Sequence, residues 1–158
     1  MKIKGLVDED FVNYKKPSMY IAFPKCSFKC DKEAGCAICQ NSQLAHEEDI
    51  DISAIEIASR YVKNPITKSI VFGGLEPFDS WTDMCKLIET LRTFTKDEII
   101  IYTGYNADEI ARQTYWLGNK YSNITIKFGR FIPNQEKKYD EVLGLELASP
   151  NQYARRIS

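Results

Sequence analysis

Apolar residues along the chain follow two alternating rhythms. Short, nearly continuous apolar runs at 19–23 (Met-Tyr-Ile-Ala-Phe), 68–73 (Lys-Ser-Ile-Val-Phe-Gly), 97–103 and 123–128 predict strands. The run at 97–103, Asp-Glu-Ile-Ile-Ile-Tyr-Thr, has the pattern that a parallel sheet buries on both faces. Between these runs, apolar residues recur every three or four positions. Ile52, Ile55, Ala58, Tyr61 and Val62 predict a helix over 52–62, capped by Asp51 or Ser53. Trp81, Met84, Leu87, Ile88 and Leu91 form one face of a second helix, entered through Asp79 or Ser80. Asn106 with Glu109 three positions later has the form of a capping box and opens a third helix to about Trp116. Beyond Gly129 the pattern is irregular, with a last short strand expected at 142–147.

Strands alternating with helices at this spacing predict parallel βα units in a single domain over residues 1–158. Right-handed crossovers place every strand-to-helix loop at one edge of such a sheet, where α/β proteins bind ligands. The loop after 19–23, the Gly73–Phe78 segment and Thr103–Asn106 all follow strands and so converge on one mouth. About four units are too few for a closed eight-stranded barrel of ~250 residues. The expected fold is α/β, an open partial (β/α) barrel with a mainly parallel sheet.

Composition narrows the function classes. The chain has 158 residues and 44% hydrophobic content, enough for one core, and its net charge is −1. That balance supplies no global basic field for nucleic acid or an anionic membrane. No apolar run approaches the ~20 residues of a spanning helix. The N-terminal segment turns acidic where a secretory signal carries its apolar stretch. These features predict a cytoplasmic protein with no membrane or nucleic-acid partner. The single histidine, His46, sits in a polar run and reads as solvated. Its isolation removes catalytic schemes that set an imidazole beside a nucleophile.

Four of the five cysteines crowd into residues 26–39, as Cys26, Cys30, Cys36 and Cys39, so a secreted disulfide framework does not fit. Thiolates are soft ligands, and several after one strand point to an iron–sulfur cluster, structural zinc or a redox pair. The opening Cys-x3-Cys differs from the Cys-x2-Cys of most zinc knuckles, whereas Cys36 and Cys39 do have that spacing. Residues 71–78, Val-Phe-Gly-Gly-Leu-Glu-Pro-Phe, end a buried strand with Gly73 and Gly74, which let backbone approach a ligand closely. Glu76, held extended by Pro77, suits an ammonium group. The competing reading is a tight turn with a solvent-facing carboxylate. Cys85, among Met84, Leu87 and Ile88, reads as a small core residue.

In combination, the Cys-x3-Cys…Cys loop and the Gly-Gly…Glu-Pro strand end resemble the radical S-adenosylmethionine superfamily. Cys39-Gln-Asn41 resembles the Cys-x-Asn that closes the cluster loop in activating enzymes of anaerobic ribonucleotide reductase. Tyr102-Thr-Gly-Tyr105, Lys127-Phe-Gly-Arg-Phe-Ile132 and Ala148-Ser-Pro-Asn-Gln152 are similar to further segments of that family, in the same order. The resemblance implies a 4Fe–4S cluster and S-adenosylmethionine as cofactors. It implies reductive cleavage to a 5′-deoxyadenosyl radical, and a glycyl-radical enzyme such as anaerobic ribonucleotide reductase as partner, with a small electron-donor protein. By the same resemblance Cys26, Cys30 and Cys39 hold the cluster, while Gly73, Gly74, Glu76, Asn41, Thr103 and Gly104 bind the cofactor.

The chain departs from the family's pattern in three places. Eight residues separate Cys30 from Cys39 where the family has two, so either residues 31–36 are an insertion and Cys36 an extra thiol, or the ligand set differs and Cys36 is the alternative ligand. Leu75 either replaces the second glycine of Gly-Gly-Glu-Pro or is inserted, and Phe128 stands where the family has Asp. The segment 130–140 is a candidate docking surface or an ordinary solvated loop. A radical enzyme acting on a small molecule and a structural-zinc interaction module remain the other readings.

Overall fold

The computed structural model describes residues 1–158. Its centre is a mixed six-stranded sheet. In chain order the strands are β2 (Gly5–Asp10), β3 (Ser18–Phe23), β5 (Ser69–Gly74), β6 (Glu98–Tyr102), β7 (Ile124–Phe128) and β10 (Tyr153–Arg156). In space they run β10-β7-β6-β5-β3-β2. The four expected strands form the middle, and β3, β5, β6 and β7 pair in parallel. Antiparallel strands flank them, β2 beside β3 and β10 beside β7, so the sheet is mixed. Two small hairpins complete the strands: β1 (Lys2–Ile3) with β4 (Ile50–Asp51), and β8 (Lys138–Asp140) with β9 (Leu145–Leu147). The expected strand at 142–147 is thus the second arm of a hairpin.

Helices α2 (Ala54–Lys63), α3 (Trp81–Arg92) and α4 (Ala111–Lys120) connect the parallel strands, and a short α1 (Lys29–Ala34) lies inside the cysteine loop. Ser53 caps α2, its hydroxyl accepting the Glu56 amide at 3.2 Å, while Asp51 pairs in β4 instead. The capping pair before α4 forms as well. The Glu109 carboxylate accepts the Asn106 amide at 2.8 Å, but residues 107–110 stay a turn and the helix begins at Ala111.

The parallel strands are buried on both faces, as their continuous apolar sequence requires. Ile70, Phe72, Ile99, Ile101, Ile124, Ile126 and Phe128 point toward the helices and join Met84, Leu87, Ile88, Leu91 and Leu117 in the main core. The alternate residues Val71 and Ile100 pack beneath Tyr14, Leu143 and Leu147, carried by the β2–β3 connection and the β8–β9 hairpin. Cys85 is half-buried against the main core, as its helical position predicts. His46 is exposed at the end of a 3-10 turn. No helix is long and apolar enough to cross a membrane.

Ile101 lies in the centre of the sheet with no solvent exposure. Ile101→Ala is expected to lower unfolding free energy by about 2–5 kcal/mol, by lost burial plus the cavity left behind. Ile55→Ala, on the solvent side of α2 at 55% exposure, should stay within about 0.5 kcal/mol. Urea denaturation of both variants measures the contrast.

Candidate functional site

Parallel strands end together, so the loops that follow them meet at one edge of the sheet. A cavity of about 220 Å³ opens there, and its walls include Cys26, Cys30, Cys39, Asn41, Gly73, Gly74, Glu76, Thr103 and Gly104. Every residue that the resemblance assigns to the cluster or the cofactor lines this cavity, and the alternative ligand Cys36 does not. Cys36 is exposed, and its thiol faces the Ala34 carbonyl at 3.7 Å.

The long cysteine loop is built to double back. Residues 29–34 make the single helical segment α1, ended by Gly35 in the left-handed region at φ +69°. The Asp31 carboxylate, carried on that turn, accepts the amides of Ile38 at 2.9 Å and Cys39 at 2.8 Å. The loop is thereby folded back on itself, and Cys39 returns to the cavity that Cys30 lines. Asn41 then anchors the end of the loop, its amide donating to the Gly74 carbonyl at 2.7 Å.

The two glycines are required by space. A side chain at Gly73 would meet the Tyr20 hydroxyl at 2.7 Å. One at Gly74 would meet the Ala22 backbone at 2.6 Å, and Gly74 has φ +81°. β5 therefore lies against β3 with nothing between them at the cavity edge. Leu75 follows both glycines, so Gly73 and Gly74 are adjacent inside β5 and the leucine forms part of the wall.

Glu76 is buried, not solvent-facing. Its Oε1 accepts from the Thr103 hydroxyl at 2.8 Å and the Phe78 amide at 3.1 Å, and its Oε2 accepts from the Gly104 amide at 2.9 Å. Burial pushes this carboxyl up to about 7, and the three donors hold it from rising further. Burial likewise raises the Cys26 thiol to about 12, with the nearby Glu76, Asp79 and Cys39 adding to the rise, and raises Cys39. The Cys26 thiol is therefore protonated at neutral pH until a metal displaces the proton.

Three residues at the site escaped the sequence reading. Asp79 accepts the Ser27 amide at 2.6 Å and the Tyr105 hydroxyl at 2.6 Å, fixing the start of the cysteine loop against the end of β6. In sequence it reads only as a helix cap. Arg130 is buried, as is Asp140, while most residues between them are exposed. Its guanidinium donates to Glu33 at 2.7 Å, Glu109 at 2.8 Å and the Gly104 carbonyl. Lys127 is buried in the cavity wall. The placement of Lys127 and Arg130 around Gly129, within a motif, was the one available signal. The two closing motifs also bind each other. Gln152 accepts the Ala148 amide at 3.1 Å and donates to the Gly129 carbonyl at 3.4 Å.

No three His, Cys, Asp or Glu side chains gather round one point as a single-ion site needs. All five cysteines are free. The half-buried thiols of Cys26, Cys30 and Cys39 line the same cavity, and an iron–sulfur cluster takes its thiolates on separate irons rather than on one ion.

Asp31→Ala should leave the Ile38 and Cys39 amides without their acceptor. Their hydrogen exchange is expected to speed up, and iron retained after anaerobic reconstitution to fall severalfold. Unchanged exchange would show that Asp31 does not hold the loop. The Glu109 carboxyl gives a separate, pH-dependent test. Burial alone would raise it, but hydrogen bonds from Arg130, Lys29 and the Asn106 amide bring it down to about 2. A depressed carboxyl contributes stability that is fully present above its unfolded value near ~4.3 and lost as pH falls toward that lower value. Glu109→Gln should flatten the melting-temperature profile between those limits, measured by circular dichroism.

No curated protein and no solved structure matches the chain. A model of the 4Fe–4S single cluster domain matches residues 17–150, which take in the cysteine loop and all four parallel strands. The chain therefore belongs to the 4Fe–4S single cluster domain family and is an iron–sulfur protein.

Proposed function

We propose that this protein is a radical S-adenosylmethionine enzyme built on an open partial (β/α) barrel, with Cys26, Cys30 and Cys39 as its cluster ligands. The observation that carries the reading is the single cavity at the strand ends, where those three thiols stand beside Gly73, Gly74, Glu76, Thr103 and Gly104. The exposed thiol of Cys36 is then a bystander. When bound, the cluster supplies an open coordination position and one electron for breaking a sulfonium C–S bond of S-adenosylmethionine, which yields methionine and a 5′-deoxyadenosyl radical.

The chain's own residues bind and orient. Glu76 Oε2 has one donor, the Gly104 amide, and retains a lone pair for the methionine ammonium. Gly73 and Gly74 bring bare backbone to the cavity edge, and Thr103 and Gly104 are pinned by Glu76 so that the opposite rim does not shift. The Arg130 network covers the side of the cavity near α1 and limits entry of water.

By its resemblance to the activating enzymes, the radical acts on a glycine C–H of a partner enzyme such as anaerobic ribonucleotide reductase. Abstraction gives 5′-deoxyadenosine and a glycyl radical. A small electron-donor protein would reduce the cluster, and free thiols suit the reducing cytoplasm.

The test is anaerobic reconstitution followed by dithionite and S-adenosylmethionine, with 5′-deoxyadenosine measured chromatographically. Cys26→Ala, Cys30→Ala and Cys39→Ala should each lose the cluster and at least 100-fold of the cleavage, whereas Cys36→Ala should keep both. Glu76→Ala should keep the cluster and weaken S-adenosylmethionine binding about tenfold or more, the loss of one charge-assisted contact. A colourless, zinc-filled protein, or loss of the cluster only in Cys36→Ala, would overturn the assignment.

A further inference from the structure

The floor of the cavity lies on the sheet face opposite the helices. Val71, Ile100 and the glycine at 73 share that face, and their neighbours toward the strand ends are polar. Tyr102 and Lys127 stand side by side in register on β6 and β7, and Tyr20 stands on β3 against Gly73. All three line the cavity.

Lys127 is 7% exposed. Its ammonium makes one hydrogen bond, a long one of 3.3 Å to the Gly129 carbonyl, and lies 5.9 Å from the centre of the Tyr102 ring. No carboxylate pairs with it. The acidic groups near the cavity are otherwise engaged: Glu76 by Thr103, Phe78 and Gly104, Asp79 by Ser27 and Tyr105, and Glu109 by Arg130 and Lys29. An ammonium has three N–H donors, so two are unfilled in a place where an unpaired charge is expensive. Tyr20 adds a third. Its hydroxyl oxygen accepts the Gly74 amide at 2.6 Å, while its own proton has no acceptor. Tyr102 does not compete, because its hydroxyl donates to the Asn13 carbonyl at 2.7 Å. The folded chain therefore presents a buried cation and a hydroxyl donor to one cavity, with no carboxylate hydrogen-bonded to either.

We propose that Lys127 and Tyr20 form an anion subsite on this floor, which takes the carboxylate or phosphate of a small ligand. Neither residue belongs to the set assigned to the cluster or to the ammonium. The subsite does not depend on the radical reading, since its geometry requires no cluster. The anion has two sources, the carboxylate of S-adenosylmethionine or an anionic group on a separate substrate.

Calorimetric titration of the reconstituted full-length protein with inorganic phosphate, and in parallel with acetate, tests the subsite. Saturable binding is expected in the wild type and in Lys127→Arg. Lys127→Met should weaken it at least tenfold and Tyr20→Phe severalfold, while Lys86→Met, exposed on α3 and away from the cavity, should leave it unchanged. Should Lys127→Met fail to fold, Lys127→Gln carries the same expectation. Equal phosphate affinity in wild type and Lys127→Met, or equal loss in Lys86→Met, overturns the proposal. So does a variant that moves only the cluster's reduction potential. Repeating the titration with saturating S-adenosylmethionine separates the sources: exclusion of phosphate assigns the subsite to that cofactor's carboxylate, and undiminished binding assigns it to a second ligand. If S-adenosylmethionine is neither bound nor cleaved while phosphate still binds through Lys127, the radical reading fails and the subsite stands.

Discussion

A single buried carboxylate holds the mouth of this sheet together. Glu76 sits at the end of β5, and its own amide donates to the Lys25 carbonyl at the start of the cysteine loop, at 2.6 Å. Its side chain reaches the other way, to the Thr103 hydroxyl and the Gly104 amide beyond β6. One residue thus bridges three consecutive strand-end loops. A charged group this deeply buried persists only because donors surround it. The donors in turn come from loops that would otherwise have independent positions. Asp79 repeats the device one turn further on, joining the Ser27 amide to the Tyr105 hydroxyl. The result is a rigid rim of backbone and thiols, which a site that must align several groups requires.

The same logic explains how the long cysteine loop keeps its shape. Eight residues between Cys30 and Cys39 would cost only modest closure entropy if they were slack, but slack would leave Cys39 with no defined place. Helical winding shortens the path, the left-handed Gly35 reverses it, and the Asp31 carboxylate fastens the returning strand by two amides. The glycine at 35 and the aspartate at 31 therefore matter more to the thiol geometry than the spacing does. Cys36, which falls at the outer bend next to Gly35, is exposed for that reason.

Much of this was legible in the sequence. The four parallel strands and the helices at 54–63 and 81–92 follow from apolar periodicity, because both faces of the sheet are covered and a covered face demands apolar residues. Strands β2 and β10 were not legible. They lie at the sheet edges with exposed or charged residues such as Asp8, Arg155 and Arg156, so burial leaves no mark on them. The late start of α4 was hidden for a different reason. Glu109 makes the expected bond to the Asn106 amide, but Lys29 and Arg130 share its carboxylate, and those partners are 80 and 21 residues away. Asp79, Lys127 and Arg130 were missed alike: each acts through long-range contacts, and each reads locally as a cap, a strand lysine or a surface arginine.

Charge balance then says why cations belong here at all. On the proposed ligand set, Cys26, Cys30 and Cys39 become thiolates on metal binding and, with Glu76 beside them, concentrate negative charge in a small volume. Arg130 does not neutralise it, because Glu33 and Glu109 already occupy its guanidinium on the outer side. Lys127 is the inner cation: burial brings its amine down to about 8, and the nearby Cys30 and Glu76 act in the opposite direction without bonding to it. On the proposed ligand set, its place on the floor rather than on the rim lets it offset the field of the thiolates without bonding to them. A cation in salt-bridge contact with Glu76 would have closed the mouth. One held at a distance by the Gly129 carbonyl leaves the cavity open and polarised from rim to floor.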